Sequence, residues 1–218
     1  MTIQSFYEKF QVPSNLQRHM YMVAAVGMYI VDHWDKPNDL DRVRIAKGLL
    51  LHDIGNIIKF DFTRPDLLGE AERKDLEKWK KVQLEFTQKY GDEDTATHAL
   101  ARQSGVDEKV LEILDAVGSA KLQKALETTD WNKKIACYSD FRIGPFGVLT
   151  VNERFDDIVA RYRGRGHAMS DIEETERKRR RCLELEKHLQ QHVTVDLQLL
   201  DGKMIEDMTD KLASVEID

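Results

Sequence analysis

The chain has 218 residues, of which 41% are hydrophobic and 33% are charged. This length fits one domain, or one domain with a helical extension, and it can bury a core without a disulfide or a structural metal. The 33 basic and 39 acidic residues give a net charge of −6. That balance does not fit a general binder of nucleic acid or of anionic membranes.

No membrane or secretion signal is recognised. The longest apolar run covers residues 20–31, which is too short to cross a bilayer and predicts a buried helix. Residues 1–10 lack the basic and apolar regions of a secretory signal. The two cysteines, Cys137 and Cys182, form no disulfide framework. We therefore expect a soluble, cytoplasmic protein.

Apolar residues recur at three- and four-residue spacing through long proline-free stretches, which indicates an all-α protein. In chain order, the predicted helices span residues 14–34, 41–53, 70–90, 94–104, 107–119, 131–143, 152–163 and 171–191. A period-2 pattern at residues 192–197 is the only hint of a strand. Beyond residue 191 we expect a short acidic helix at most.

The last predicted helix carries five consecutive basic residues, Arg177 to Arg181. Glutamates on both sides can pair with them at i,i+3 and i,i+4, which favours a solvated helix face. A phosphate or RNA contact is the alternative. Apolar residues gather in the C-terminal half of this helix. We expect that half to pack on the bundle, or on a second copy of the chain in a homo-oligomer, while the basic run stays in water.

One histidine stands beside an acid in an apolar setting, in the segment LLLHDIG at residues 49–55. Burying an unpaired carboxylate is costly, so His52 and Asp53 need a partner or a metal. His19 lies within the first apolar helix and Asp140 on a later one. Two imidazoles and two carboxylates suit one divalent cation, with two positions left for water or substrate. The alternative is a core histidine bonded to a carbonyl.

The order His, His-Asp, Asp resembles the HD-domain superfamily of metal-dependent phosphohydrolases. The segment LLLHDIGNIIKFD looks like the central motif of that family, and YSDFRIGPFG resembles the segment around its last aspartate. The resemblance covers roughly residues 14–165 and implies an all-α helical bundle around a metal. We accordingly expect an HD-type metal-binding domain at residues 1–165 and a charged C-terminal helical extension at residues 166–218.

By this resemblance, His19, His52, Asp53 and Asp140 match the four metal ligands of the family. The implied cofactor is one divalent ion, which could be Mn²⁺, Mg²⁺, Fe²⁺, Co²⁺ or Zn²⁺. In the family the metal polarises a phosphoryl oxygen and lowers the pKa of a bound water. Asp53 would contact the metal, and a role in orienting the attacking water is a further expectation.

The sequence departs from the nucleotidase-like branches of the family, which often carry acids three and eight residues after the motif aspartate. Here these positions hold Asn56, which cannot act as a base, and Asp61, which can. Asp61 is therefore the second catalytic candidate, for proton transfer. Arg18, Lys59 and Arg142 stand close in sequence to the proposed site and are candidates for binding phosphate. Each could equally be a surface or packing residue.

One metal is favoured over two. Branches with two metals carry additional histidines in the central helices, and only His98 is available there. Asp115 stands where a histidine pair would be expected. His98 itself is more simply explained as a helix histidine whose hydrogen bonds are satisfied.

The sequence thus predicts a hydrolase that acts on a nucleotide or another small phosphate ester, since it shows no basic groove for a polymer. The alternative is a catalytically weak or inactive HD-fold module that binds a ligand or regulates, and Asn56 is its main support. A scaffolding role for the last helix ranks third, because its apolar residues do not repeat over three heptads.

Overall fold

The computed structural model describes residues 1–162 and 171–217, and most of these residues are helical. The α-helices are Ile3–Lys9 (α1), Ser14–Asp32 (α2), Arg42–Leu51 (α3), Glu70–Lys74 (α4), Leu76–Tyr90 (α5), Glu93–Gln103 (α6), Glu108–Leu114 (α7), Leu122–Glu127 (α8), Trp131–Phe141 (α9), Val151–Tyr162 (α10), Ile172–Gln190 (α11) and Gly202–Leu212 (α12). Within the described residues, the only strands are Ile143–Gly144 (β1) and Gly147–Val148 (β2), which form an antiparallel hairpin. The all-α prediction is confirmed.

Helix α2 lies at the centre of the bundle, and its middle is apolar on every side. All residues from Val23 to Met28 are buried, and helices α3, α9 and α12 pack around them. Gly27 lets α3 come close, because a Cβ at this position would lie 2.4 Å from the side chain of Leu49. None of the described helices combines the length and the apolar character that a membrane span requires.

Several predicted helix boundaries change in the structure. The helix predicted at residues 70–90 is divided at Asp75. The non-helical backbone of this residue (φ −143°, ψ 65°) ends α4, and its side chain caps α5 by accepting the N–H of Lys78. The helix predicted at residues 107–119 ends at Leu114. Helices α1 and α8 are short, at 7 and 6 residues, and too short for their periodicity to be recognised.

The residues after α10 complete the same bundle. In the C-terminal half of α11, Cys182, Leu185 and Leu189 are fully buried in the main core, together with Ile205 of α12. This confirms that the half-helix packs on the bundle, the first of its two predicted alternatives. The domain boundary predicted between residues 165 and 166 lies outside the described residues.

The basic run on α11 is only partly in water. The side chain of Arg177 is 46% exposed, whereas that of Arg179 is only 17% exposed. Arg179 donates a hydrogen bond of 2.6 Å to Asp156 of α10, and its guanidinium lies 5.9 Å from the ring centroid of Phe155. The predicted solvated run is therefore wrong at Arg179, because α10 packs along that face of α11.

Candidate metal centre

Three helices bring the four predicted ligands together. His19 projects from α2, His52 and Asp53 follow the last residue of α3, and Asp140 lies in the last turn of α9. These helices pack against one another beside the core. The Nε2 atom of His19 lies 3.5 Å from Asp53 Oδ2 and 3.2 Å from Asp140 Oδ1. The Nε2 atom of His52 lies 3.7 Å and 3.8 Å from the same two oxygens.

The cluster sits at the boundary between core and solvent. The side chain of His52 is only 2% exposed, whereas those of His19, Asp53 and Asp140 are 21%, 26% and 19% exposed. The ring of His52 thus forms the inner wall of the cluster. The other three side chains remain open to a small ligand from solvent.

The orientation of His52 is fixed by its second nitrogen. Nδ1 lies 2.7 Å from the carbonyl oxygen of Leu49, so Nδ1 is the donor and Nε2 faces the cluster, where it offers a lone pair to a cation or carries a proton when no cation is bound. Nε2 is buried and has no hydrogen-bond partner. A buried polar atom without a partner is unfavourable. A cation held between the four side chains would remove that penalty.

The charges in the cluster also shift its pKa values. Burial lowers the pKa of His52, but the charges of Asp53 and Asp140 outweigh burial and raise that pKa to about 9. Burial likewise acts to raise the pKa of Asp140, yet His19 and His52 hold it well below its ordinary range. Both shifts express a strong preference for positive charge between the carboxylates. A divalent cation would satisfy the same preference.

The donor set fits a divalent metal. The candidate ligand atoms of His19, His52 and Asp53 all lie within 4.8 Å of one another, and Asp140 lies close to both histidines. Imidazole suits Zn²⁺ and Fe²⁺, and carboxylates suit Mg²⁺ and Mn²⁺, so the mixed set does not select one metal.

The two predicted phosphate-binding residues other than Arg142 lie on exposed surface. Arg18 immediately precedes His19 on α2, and its side chain is exposed. Lys59 is 59% exposed and forms an ion pair with Glu93 of α6. Neither belongs to the four-residue cluster, and their contact with a phosphate stays a prediction.

Asp61 and His98 also lie outside the cluster. Asp61 is exposed, and its Oδ1 accepts hydrogen bonds from the backbone N–H and the hydroxyl of Thr63, at 3.0 Å and 2.5 Å. Its role in proton transfer stays a prediction. His98 is paired through Nε2 with Asp115 Oδ1 at 2.7 Å, in keeping with a helix histidine whose hydrogen bonding is satisfied.

The structure contradicts the prediction that Arg142 binds substrate. Its side chain is completely buried, and the guanidinium donates hydrogen bonds to four protein oxygens: Tyr138 Oη and the carbonyls of Leu149, Leu197 and Leu200. Arg142 therefore ties the hairpin and the segment after α11 to helix α9. Its donors are used within the protein and do not face a phosphate.

Sequence reasoning missed two residues that hold the loop after Asp53. The buried Thr97 of α6 accepts the backbone N–H of Gly55 at 3.0 Å. A Cβ on Gly55 would lie 2.5 Å from the carbonyl oxygen of Glu93, so α6 approaches the loop as closely as glycine permits. The signal was a threonine three and four residues before Leu100 and Ala101, on the apolar face of α6, where a hydroxyl needs a partner.

The second such residue is Gln83 of α5. Its side-chain amide nitrogen lies 3.0, 3.0 and 2.9 Å from the carbonyl oxygens of Ile57, Ile58 and Phe60. These carbonyls belong to the short 3-10 turn Asn56–Lys59 and the residue after it. The loop that follows the His-Asp pair is thus held by two separate helices.

Comparison with known proteins identifies the family. The family model of the HD domain matches residues 16–127, just over half of the chain. This chain belongs to the HD-domain family. The matched residues include His19, His52 and Asp53, whereas Asp140 lies beyond them. The resemblance to the superfamily of metal-dependent phosphohydrolases is therefore confirmed.

A relative with a described activity is 5'-deoxynucleotidase HDDC2 of Dictyostelium discoideum, which is 24% identical over 126 residues. The aligned part covers 56% of this chain and 59% of that relative. The chain thus matches less than two thirds of the length of this HD-domain protein. No solved structure matches the chain. Family and relative together support a hydrolase of the HD superfamily.

Proposed function

We propose that the protein is a phosphohydrolase that uses one divalent metal, held by His19, His52, Asp53 and Asp140, to hydrolyse a nucleotide or another small phosphate ester. The convergence of two imidazole nitrogens and two carboxylates from three helices carries this proposal. The name of the Dictyostelium relative makes deoxynucleotides the first substrates to test.

Each ligand candidate has a defined part in this proposal. His52 is held by Leu49 and offers Nε2 from the buried side. Asp53 and Asp140 supply two negative charges, which balance a divalent ion. The bound metal would polarise a phosphoryl oxygen and lower the pKa of a water. Asp53 has the most exposed side chain of the four, at 26%, which suits a carboxylate that also orients water beside a substrate.

The residues at the rim are proposed to bind the phosphate and move a proton. Arg18 is exposed one residue before His19, and a guanidinium can bind a phosphate through two parallel hydrogen bonds. Lys59 would have to leave Glu93 to do the same. Asp61 keeps the role of proton-transfer group, since a carboxylate on the exposed loop can exchange protons with water.

The test begins with a protein stripped of metal by a chelator and reloaded with single metals. Mononucleotides are screened for release of phosphate, and dinucleotides and cyclic nucleotides are screened for release of a mononucleotide. Asp140→Asn should lower kcat/KM by more than ~100-fold, because changes beyond the direct ligands already cost ~10–100-fold. The matched control is Asp207→Asn, an exposed aspartate of α12, which should leave the rate unchanged.

The second candidate function is a catalytically weak or inactive module that binds a ligand through the metal. Asn56 favours it, since an amide stands where an acid occurs in nucleotidase-like branches and cannot accept a proton. A wild-type protein that binds metal but hydrolyses none of these esters, with any of the five metals, would establish this alternative and contradict the proposed hydrolase.

A further inference from the structure

We propose that Tyr7 is a positioning residue for the metal centre, because its hydroxyl fixes the end of the helix from which His52 and Asp53 project. Tyr7 lies on α1, outside the residues that match the HD-domain family, and its side chain is completely buried. The inference rests on the proposed metal site. The contacts of Tyr7 are features of the fold and do not depend on that site.

The hydroxyl of Tyr7 donates a hydrogen bond to the carbonyl oxygen of Leu50 in the last turn of α3. In a continuing α-helix this carbonyl would accept the N–H of Ile54, four residues later. The N–H of Ile54 instead donates to Leu51 at 3.3 Å, which is the tighter i→i+3 pattern of a helix end. Tyr7 thus takes the place of the backbone donor at the point where the helix stops.

The same hydroxyl also contacts helix α2. Tyr7 Oη lies 3.7 Å from the sulfur of Met20, the residue next to His19. The ring of Tyr7 meets that of Tyr21 edge to face, at 5.5 Å between centroids. One buried side chain therefore touches the neighbour of one proposed ligand and the carbonyl two residues before another. It fixes α2 and α3 relative to each other beside the cluster.

Because the hydrogen bond between Tyr7 and Leu50 is buried, water cannot replace it. Without the hydroxyl, the buried carbonyl of Leu50 would lose its partner, which is unfavourable. The donor that a regular α-helix would supply is the N–H of Ile54, which would satisfy the carbonyl by extending α3 beyond His52. His52 already has helical dihedral angles (φ −60°, ψ −30°), so the change would fall on the residues after it, where an i→i+4 bond in place of the i→i+3 bond alters the path of the backbone. Such a change would move the carboxylate of Asp53 relative to His19 and weaken the metal site.

The test compares Tyr7→Phe with Tyr21→Phe. Tyr21 is the matched control, because its hydroxyl donates to Gln4 Oε1 at 3.0 Å and joins α1 to α2 without contacting α3. The affinity for Mn²⁺ is measured by electron paramagnetic resonance of the free ion. We expect the Kd to rise ~10–100-fold in Tyr7→Phe, as for other residues that orient ligands. In Tyr21→Phe it should stay within twofold.

Hydrogen exchange on the metal-free proteins provides the second measurement. The amides of residues 52–55 should change their protection in Tyr7→Phe and keep it in Tyr21→Phe, whereas a general loss of stability would affect all helices alike. If the wild type binds Mn²⁺ and Tyr7→Phe binds it within twofold, the role of Tyr7 is overturned and the proposed function stands. If the wild type binds no metal at all, both are overturned.

Discussion

Gly55 shows how little freedom the loop after the His-Asp pair has. A Cβ on this residue would lie 2.5 Å from the carbonyl oxygen of Glu93 and 2.7 Å from the backbone nitrogen of Thr97. Backbone atoms of a packed helix cannot move aside as the end of a side chain can. We expect Gly55→Ala to lower the free energy of unfolding by ~1–3 kcal/mol, measured by urea denaturation. It should also weaken Mn²⁺ binding, because the loop carries Asp53.

Gly202→Ala is the matched control. A Cβ there would meet no atom within 4 Å, and Gly202 is the first residue of α12. This variant should be neutral or more stable by up to ~1 kcal/mol, since alanine restricts the unfolded chain. If Gly55→Ala unfolds at the same urea concentration as the wild type, the close approach of α6 is not a constraint on the loop.

The sequence predicts some residues of the site well and others not at all. His19, His52, Asp53 and Asp140 could be proposed because they are polar residues at positions where the helical pattern calls for apolar ones. Arg142 was proposed because it is near Asp140 in the sequence. Nearness in sequence does not show whether a side chain points toward the site or into the core, where Arg142 donates to protein oxygens. Tyr7 gives no local signal, since its partner Leu50 is distant along the chain.

At the scale of the elements, the contact between α10 and α11 explains why the arginines of one basic run differ in exposure. Arg179 is bonded to Asp156 and covers Phe155, whereas Arg180 is exposed. Arg179→Gln should therefore lower the free energy of unfolding by about 1 kcal/mol, through lost packing as well as the lost ion pair. Arg180→Gln should not change it. Chemical denaturation of both variants measures the difference.

Turnover gives the complementary measurement. Neither substitution should change kcat/KM for a mononucleotide by more than about threefold. Arg180 is a solvated charge, which is screened over ~8 Å at physiological salt, and Arg179 is already paired with Asp156. Equal stability of the two variants would contradict the packing of α10 on α11. A large loss of turnover without a loss of stability would place the basic run in substrate capture.

The long helices are the part of the fold that the sequence predicts best. Helices α2, α9 and α11 begin at or within a residue of the predicted positions, because each combines an apolar periodicity with a suitable first residue. The division of α4 from α5 was missed, because Asp75 stands among other charged residues and its position fits the solvated face of one long helix. Its capping role depends on a backbone angle that composition does not reveal.

For the whole molecule, the pKa of His52 predicts how stability depends on pH when no metal is bound. That pKa is about 9 in the folded protein, against an ordinary value of 6.5. The folded state therefore holds a proton that the unfolded state releases first. The resulting stabilisation is complete below pH 6.5 and is lost as pH rises to 9. Its loss should lower the free energy of unfolding by on the order of 3 kcal/mol.

The measurement is urea denaturation in the presence of a chelator at pH 6 and pH 9. His52→Gln is the control, because it keeps every other titrating group, including the buried Lys134, and should remove most of this pH dependence. Saturation with a divalent metal should also reduce it, since the cation takes the place of the proton. If the free energy of unfolding falls equally from pH 6 to pH 9 in the wild type and in His52→Gln, other groups cause the decline.

Residues at opposite ends of the sequence are paired in the finished fold. The N–H of Ile3 donates to the carbonyl of Val215, and the N–H of Ile217 donates to that of Met1. Synthesis adds ~5–20 residues per second, so Val215 follows Ile3 by roughly 10–40 s. During that interval α1 lacks its last neighbours, although it carries Tyr7. Helix α1 is therefore among the last of these helices to be secured, and a ribosome-bound chain that already contains all four proposed ligands still awaits the docking of α1.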